Sequence, residues 1–163
     1  MSETEQAILA QWQPRLEGSN VSMATLLATD YLNHFNEIIM LLGMVPDMPE
    51  ILEDCRAWTP KSYQDHFRDS AFHDRDLIIA AYEAAPARFR NAFDETVARL
   101  DALVAELIGR LGQTVEGGDG DLLRLQAEGG VGAMQRLLDV ASAIVHGSDK
   151  TMSQDEIDRL IDR

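Results

Sequence analysis

Histidine and carboxylate side chains at helical spacing are the first residues here whose types carry chemistry. Asp30 stands four residues before His34 and Glu37 three after it, while His66, Asp69 and His73 stand three and four apart. At about 100° per residue those intervals hold each trio on one helix face. Imidazole and carboxylate offered by two helices are the materials of a metal site in a bundle, and zinc, iron or manganese would accept them. One reading is therefore a metal-binding bundle, in its fullest form an enzyme, with a divalent ion on Asp30, His34, Glu37, His66, Asp69 and His73. DinB-like and ferritin-like bundles are the analogy, without their Glu-x-x-His pairs or His triad. The plain alternative starts from Leu27, Tyr31, Ile38 and Leu41, which share the His34 stripe and make it a core-edge histidine. His66, Asp69 and His73 would then be a solvated face. The group Trp58, Tyr63, Phe67 and Phe72 reads as core packing, with an apolar pocket between helices as the alternative.

Other catalytic patterns are missing. Ser, His and Asp occur in no triad spacing. The glycines at 117–120 and 129–132 are followed by no Gly-Lys-Ser/Thr, so they form no phosphate loop. Cys55 is the only cysteine, which excludes an intrachain disulfide and a Cys-based zinc site.

The closing segment carries a second set of signals. Ser153 and Glu156 have the spacing of a capping box, and Met152 and Ile157 that of a hydrophobic staple. Asp155 and Glu156 suit the first turn of a helix dipole. The helix so begun has one apolar stripe, Ile157, Leu160 and Ile161. At about ten residues it is marginal alone in water and needs something to pack against. That is either the chain's own body or the groove of a partner.

The order Ser153-Gln154-Asp155-Glu156-Ile157-Asp158-x-Leu160-Ile161 resembles the N-terminal peptide of the flagellar switch protein FliM and the similar peptide of FliY. Those peptides bind the phosphorylated response regulator CheY. The run from Gln154 to Asp162 is also similar to the C-terminal peptide of the CheY phosphatase CheZ, itself a helical bundle ending in this peptide. The resemblance implies binding of a response-regulator receiver domain, or of the flagellar switch, through Ser153, Gln154, Asp155, Glu156, Ile157, Asp158, Leu160 and Ile161. It implies an adaptor or regulator of chemotaxis and flagellar motility, with no cofactor. It does not extend to catalysis. CheZ works with a Gln in an Asp-x-x-x-Gln pattern, whereas Pro60, Gly109, Leu122 and Val131 precede Gln64, Gln113, Gln126 and Gln135 by four. The Glu-x-x-Asn pattern of CheC, CheX and FliY is missing too. Whether the chain promotes dephosphorylation stays open.

These residues need a scaffold, and the 163-residue chain supplies one by helical periodicity. Apolar residues recur at three and four, with no period of two. Phe89, Phe93, Val97, Leu100, Val104, Leu107 and Leu111 make a bundle seam. That seam belongs either to the core or to a homodimer. A second long helix carries Val131, Met134, Leu137, Leu138, Ala141 and Ile144. Shorter helices are expected around Ile8–Leu16, from Ser22 to near Gly43, from Asp47, from Thr59-Pro60 through Phe67, and from Asp74 to before Pro86. The fourth of these must reach His73 if the second trio is to share a face. Glu116–Gly120 reads as a loop and His146–Lys150 as a hinge. The expected fold is an all-α helical bundle with two long helices and a short C-terminal amphipathic helix. Residues 1–146 form the bundle domain, 147–152 a short linker and 153–163 a recognition helix.

Composition narrows the partners. Acids outnumber bases 28 to 14, giving a formal charge of −14. Nucleic acid and anionic lipid both call for a basic footprint. No apolar run approaches the roughly 20 residues of a membrane span, and Glu3 and Glu5 stand where a secretory leader would be basic. A cytoplasmic protein is expected, without nucleic-acid or membrane partners.

Overall fold

The computed structural model describes residues 1–162. The chain is all-α, and the described residues form eight α-helices in the order α1 (Glu3–Leu16), α2 (Asn36–Met44), α3 (Leu52–Ala57), α4 (Tyr63–Arg68), α5 (Arg75–Ala84), α6 (Ala87–Gly117), α7 (Gly120–Val145) and α8 (Gln154–Ile161). Short 3-10 segments, Thr29–Phe35 and Pro49–Ile51, precede α2 and α3. No strand occurs among the described residues, and none of their helices is long and apolar enough to cross a membrane.

The two long helices form where the periodicity is cleanest. Phe89, Phe93, Leu100, Val104, Leu107 and Leu111 of α6 are buried within the single chain, so the seam is core and not an open dimer face. On α7, Met134, Leu137, Ala141 and Ile144 are buried, while Leu138 is half-buried. The loop between the two helices is shorter than the glycines suggest. Gly118, at φ +74, stops α6, its N–H bonding the carbonyls of Thr114 and Val115 at 3.1 and 3.2 Å. That is the left-handed glycine stop. Asp119 then caps α7 through its carboxylate, which accepts from Leu122 N–H at 3.0 Å.

The chain makes two compact units. The first comprises Met1–His34, Lys61–Glu95 and Val140–Thr151; the second comprises Phe35–Pro60, Thr96–Asp139 and the segment from Met152 onward. Both α6 and α7 contribute to each.

Of the long helix expected from Ser22 to near Gly43 the second half is present as α2, while in the first unit its first half is replaced by a turn and the 3-10 segment. The cause is local. Ser19, Ser22 and Thr25 each accept from the N–H two residues on (Val21, Ala24 and Leu27) at 3.2–3.3 Å. Such side-chain bonds compete with the helix ladder. Leu26 adopts φ +66 with its side chain fully buried, and Thr25 Oγ1 donates to the Val145 carbonyl at 2.6 Å. α4 starts at Tyr63, capped by Ser62, whose side chain accepts from Asp65 N–H, so Thr59 and Pro60 are not its cap. It stops at Arg68. α5 begins after Asp74 and ends before Pro86, as its pattern predicts. Asp74 makes no side-chain capping bond.

In the second unit α6 and α7 approach closely at Gly130, where a Cβ would overlap Leu107 Cδ2. The glycines at 129–132 are therefore helical. Thr114 Oγ1 donates to Gln126 Oε1 at 2.6 Å across the same pair. α3 is short, and Cys55 on it is buried and free. Burial pushes its thiol up to about 11, which keeps it an unreactive core group.

Candidate functional site

Two places in the fold collect the residues singled out by chemistry. The first lies in the first unit, where the 3-10 segment meets the start of α4. Ala28 N–H donates to Tyr63 Oη at 2.9 Å, Tyr31 Oη donates to the Lys61 carbonyl at 2.6 Å, and Lys61 N–H donates to His34 Nε2 at 3.0 Å. These bonds bring the two histidines together, with ring centroids 6.3 Å apart. Tyr31 lies beside both, 5.9 Å from His34 and 5.6 Å from His66.

The electrostatics keep both imidazoles neutral near pH 7. Burial, helped by His66 and Lys61, lowers His34 to about 4. That agrees with Nε2 acting as an acceptor. His66 is lowered by burial and by Lys61, against the opposing pull of Asp30 and Asp69 and a hydrogen bond to the Asp30 backbone. Neutral imidazole is the metal-binding form, but His34 Nε2 is already committed to Lys61.

The six-residue set is only partly assembled. Asp30, His34, His66 and Asp69 fall in the first unit, where Asp69 Oδ2 pairs with Lys61 Nζ at 3.0 Å. Glu37 is an exposed residue of α2 in the second unit. His73 is exposed in the turn after α4, because that helix ends five residues earlier at Arg68. Asp69 is the C-cap residue of α4 rather than part of a continuing face. Among the described residues no group of three His, Cys, Asp or Glu is placed to hold a metal ion.

The aromatic group is likewise divided. Tyr63 packs on Phe67 at 4.8 Å and stacks on Tyr82 at 4.4 Å, and Phe72 lies 5.7 Å from Phe67. Trp58 belongs to the second unit, 5.9 Å from Phe35. Tyr82 also donates to Asp94 Oδ1 at 2.6 Å. His146, at the end of α7, bonds the carbonyls of Ser142 and Ala143 through its own N–H. Gly147, at φ +115, completes that helix stop.

The second place is α8, in the second unit. Its capping box is formed. Ser153 Oγ accepts from Glu156 N–H at 3.2 Å, and Glu156 Oε1 accepts from Ser153 N–H at 3.4 Å. Gln154 Nε2 donates to Asp158 Oδ1 at 2.9 Å along the outer face. Ile157 is 1% exposed and Met152 8%. Leu160 and Ile161 are half-buried, and Gln154, Asp155 and Glu156 are exposed. Asp162 Oδ1 pairs with Arg110 Nη1 of α6 at 3.1 Å. A Cβ on Gly129 of α7 would lie 3.9 Å from the Leu160 carbonyl oxygen. Thus α8 is docked on α6 and α7, with its apolar stripe inward and its acids outward. The expected recognition helix extended to Arg163, which lies outside the described residues.

The preceding segment is also held. Asp149 Oδ2 lies 3.6 Å from Arg88 Nη1, and Ser148 N–H bonds the Ala143 carbonyl at 3.0 Å.

No family model, characterised protein or solved structure matches the chain.

Periodicity offered one signal that spacing alone did not bring out. Asp101 sits at the edge of the α6 seam, four residues after Val97 and three before Val104. Its Oδ1 is buried with no hydrogen-bond partner among the described residues. Burial alone raises its carboxyl to about 6. A carboxyl in an apolar register of a helix was the clue.

Proposed function

We propose that the protein is a cytoplasmic adaptor or regulator of chemotaxis and flagellar motility. It binds a receiver domain of the CheY type, or the flagellar switch, through α8. The observation that carries the reading is the order of residues from Ser153 to Ile161 on a helix whose capping box is formed. The exposed acids Asp155 and Glu156 would face basic groups around a partner's groove. Ile157, Leu160 and Ile161 would enter it.

Burial of Ile157 imposes a condition on this reading. The side chain that a partner must grip is held by the protein's own body, so the two compete for it. Releasing a fully buried Ile costs about 1.5–3 kcal/mol. The partly exposed Arg110–Asp162 pair adds at most about 1 kcal/mol. Intramolecular docking of that size lowers apparent affinity by about one to three orders of magnitude. A helical recognition peptide worth a micromolar complex contributes about −8 kcal/mol when free.

The test is a titration of phosphorylated or beryllofluoride-activated CheY with the full chain and with a peptide covering Thr151 to Arg163. Both should bind, the peptide more tightly, and Leu160→Ala in the peptide should cost about 1–3 kcal/mol. Absence of binding by both removes the assignment. Decay of phospho-CheY with and without the full chain reads any phosphatase activity. The metal-binding alternative rests on the two imidazoles 6.3 Å apart. Stoichiometric zinc, iron or manganese in purified protein, lost in His34→Ala, would put that function in place of the adaptor.

A further inference from the structure

We propose that the outer face of α2 and the turn that follows it form a docking surface for a cationic amphipathic helix of a partner protein. Met40, Met44 and Met48 are its ridge, and the hollow beside Pro46 and Pro49 is its anchor point. Met40 and Met44 are one turn apart on α2, and Met48 N–H bonds the Met44 carbonyl at 3.0 Å. Met40 and Met44 therefore share one stripe, and that bond brings Met48, in the turn with φ −139, in at the end of it. Their exposures are 58%, 37% and 42%. Two exposed apolar side chains on one stripe, with a third in the turn at its end, are a patch, unlike singly scattered ones. Methionine is flexible and polarisable, and exposed methionine ridges adapt to varied apolar helices.

A hollow of ≈ 150 Å³ is lined by Pro46 and Pro49, on either side of Met48 in the sequence, and by Thr114, Val115, Asp119 and Leu123. Small-molecule pockets run to about 300–1,000 Å³. This one has room for a single large apolar side chain, which suits the anchor residue of a docked helix.

Charge selects the occupant. Between Asn36 and Cys55 the sequence holds no Lys or Arg, while Glu37, Asp47, Glu50, Glu53 and Asp54 all occur. Arg124 of α7 is engaged by Asp47, and Arg56, next after Cys55, by Glu53; Glu37, Glu50 and Asp54 are the further exposed acids. An acid-flanked apolar ridge attracts a helix with an apolar stripe and Lys or Arg beside it. It repels an anionic membrane, and it repels a second copy of a chain carrying −14.

The experiment uses the full chain labelled with ¹³C at the methionine methyls. The probe is a synthetic Leu/Lys amphipathic helix of about four turns, compared with a scrambled peptide of the same composition. The Met40, Met44 and Met48 signals should move and saturate, while buried Met134 stays in place. A variant with Met40→Gln, Met44→Gln and Met48→Gln should keep its melting temperature and bind about tenfold more weakly. Equal binding by the scrambled peptide, undiminished binding by the variant, or no binding at all would overturn the proposal. So would shifts of the same signals with protein concentration alone, which would mark a contact between copies. None of these outcomes depends on α8 or on CheY.

Discussion

His34 and Asp101 are ionisable groups held against their solution preferences, and they respond to acid in opposite directions. His34 is lowered to about 4 by burial, so between there and its ordinary value the unfolded chain binds more protons than the folded one. Its contribution is intact at neutral pH and is lost as pH falls from about 6.5 to 4. Asp101 is raised to about 6, so the folded chain binds more protons between about 4 and 6. Its charged form costs stability, and that cost grows as pH rises through this window. Urea unfolding at pH 7 and pH 5 separates the two. Asp101→Asn should raise stability at pH 7 by an amount on the order of 1 kcal/mol and bring little at pH 4. His34→Gln should flatten the acid side of the profile. It should also lose up to about 1–3 kcal/mol at pH 7 if the Lys61 N–H is left without an acceptor.

At the scale of elements, legibility tracked how much of each helix was decided within its own stretch of chain. α6 and α7 are long enough for the three-four periodicity to dominate, and they stand where the pattern puts them. The α8 start was equally legible, because a capping box needs only residues three apart. The region from Ser19 to Leu27 was not. Its apolar spacing suits a helix, but three Ser/Thr side chains take the backbone donors. α4 ends early, so the spacing of His66, Asp69 and His73 conveys nothing about a shared face. The sequence pattern excluded a phosphate loop at the glycines of α7 but assigned them no role, and Gly130 serves close packing. Its replacement distinguishes packing from propensity. Gly130→Ala should destabilise by about 1–3 kcal/mol, because the new methyl meets buried Leu107. Gly132→Ala meets nothing within 4 Å and should stabilise by about 0.4–1 kcal/mol. Chemical denaturation of the two variants checks the opposite signs.

For the molecule as a whole, the charge of −14 opposes compaction, and added salt relieves it. The ion pairs are largely at the surface; the Arg68–Asp65 side chains are mostly solvent-exposed and those of Lys61–Asp69 about half so. Such pairs contribute little, so screening them costs little. Raising sodium chloride from about 20 to 200 mM should therefore raise the melting temperature, where a fold resting on ion pairs would lose stability. The amino-acid sequence by itself determined the all-α class, the two long helices, the acidic surface and the capped start of α8, since these follow from local periodicity and composition. Only the tertiary structure decided that His34 and His66 meet while Glu37 and His73 lie elsewhere in the chain, and that Ile157 is already buried. The first rests on the bonds that join the 3-10 segment to Lys61 and Tyr63, the second on the seat of α8 against α6 and α7. Such distances are set by packing between residues far apart in sequence, to which a pattern of three and four is blind.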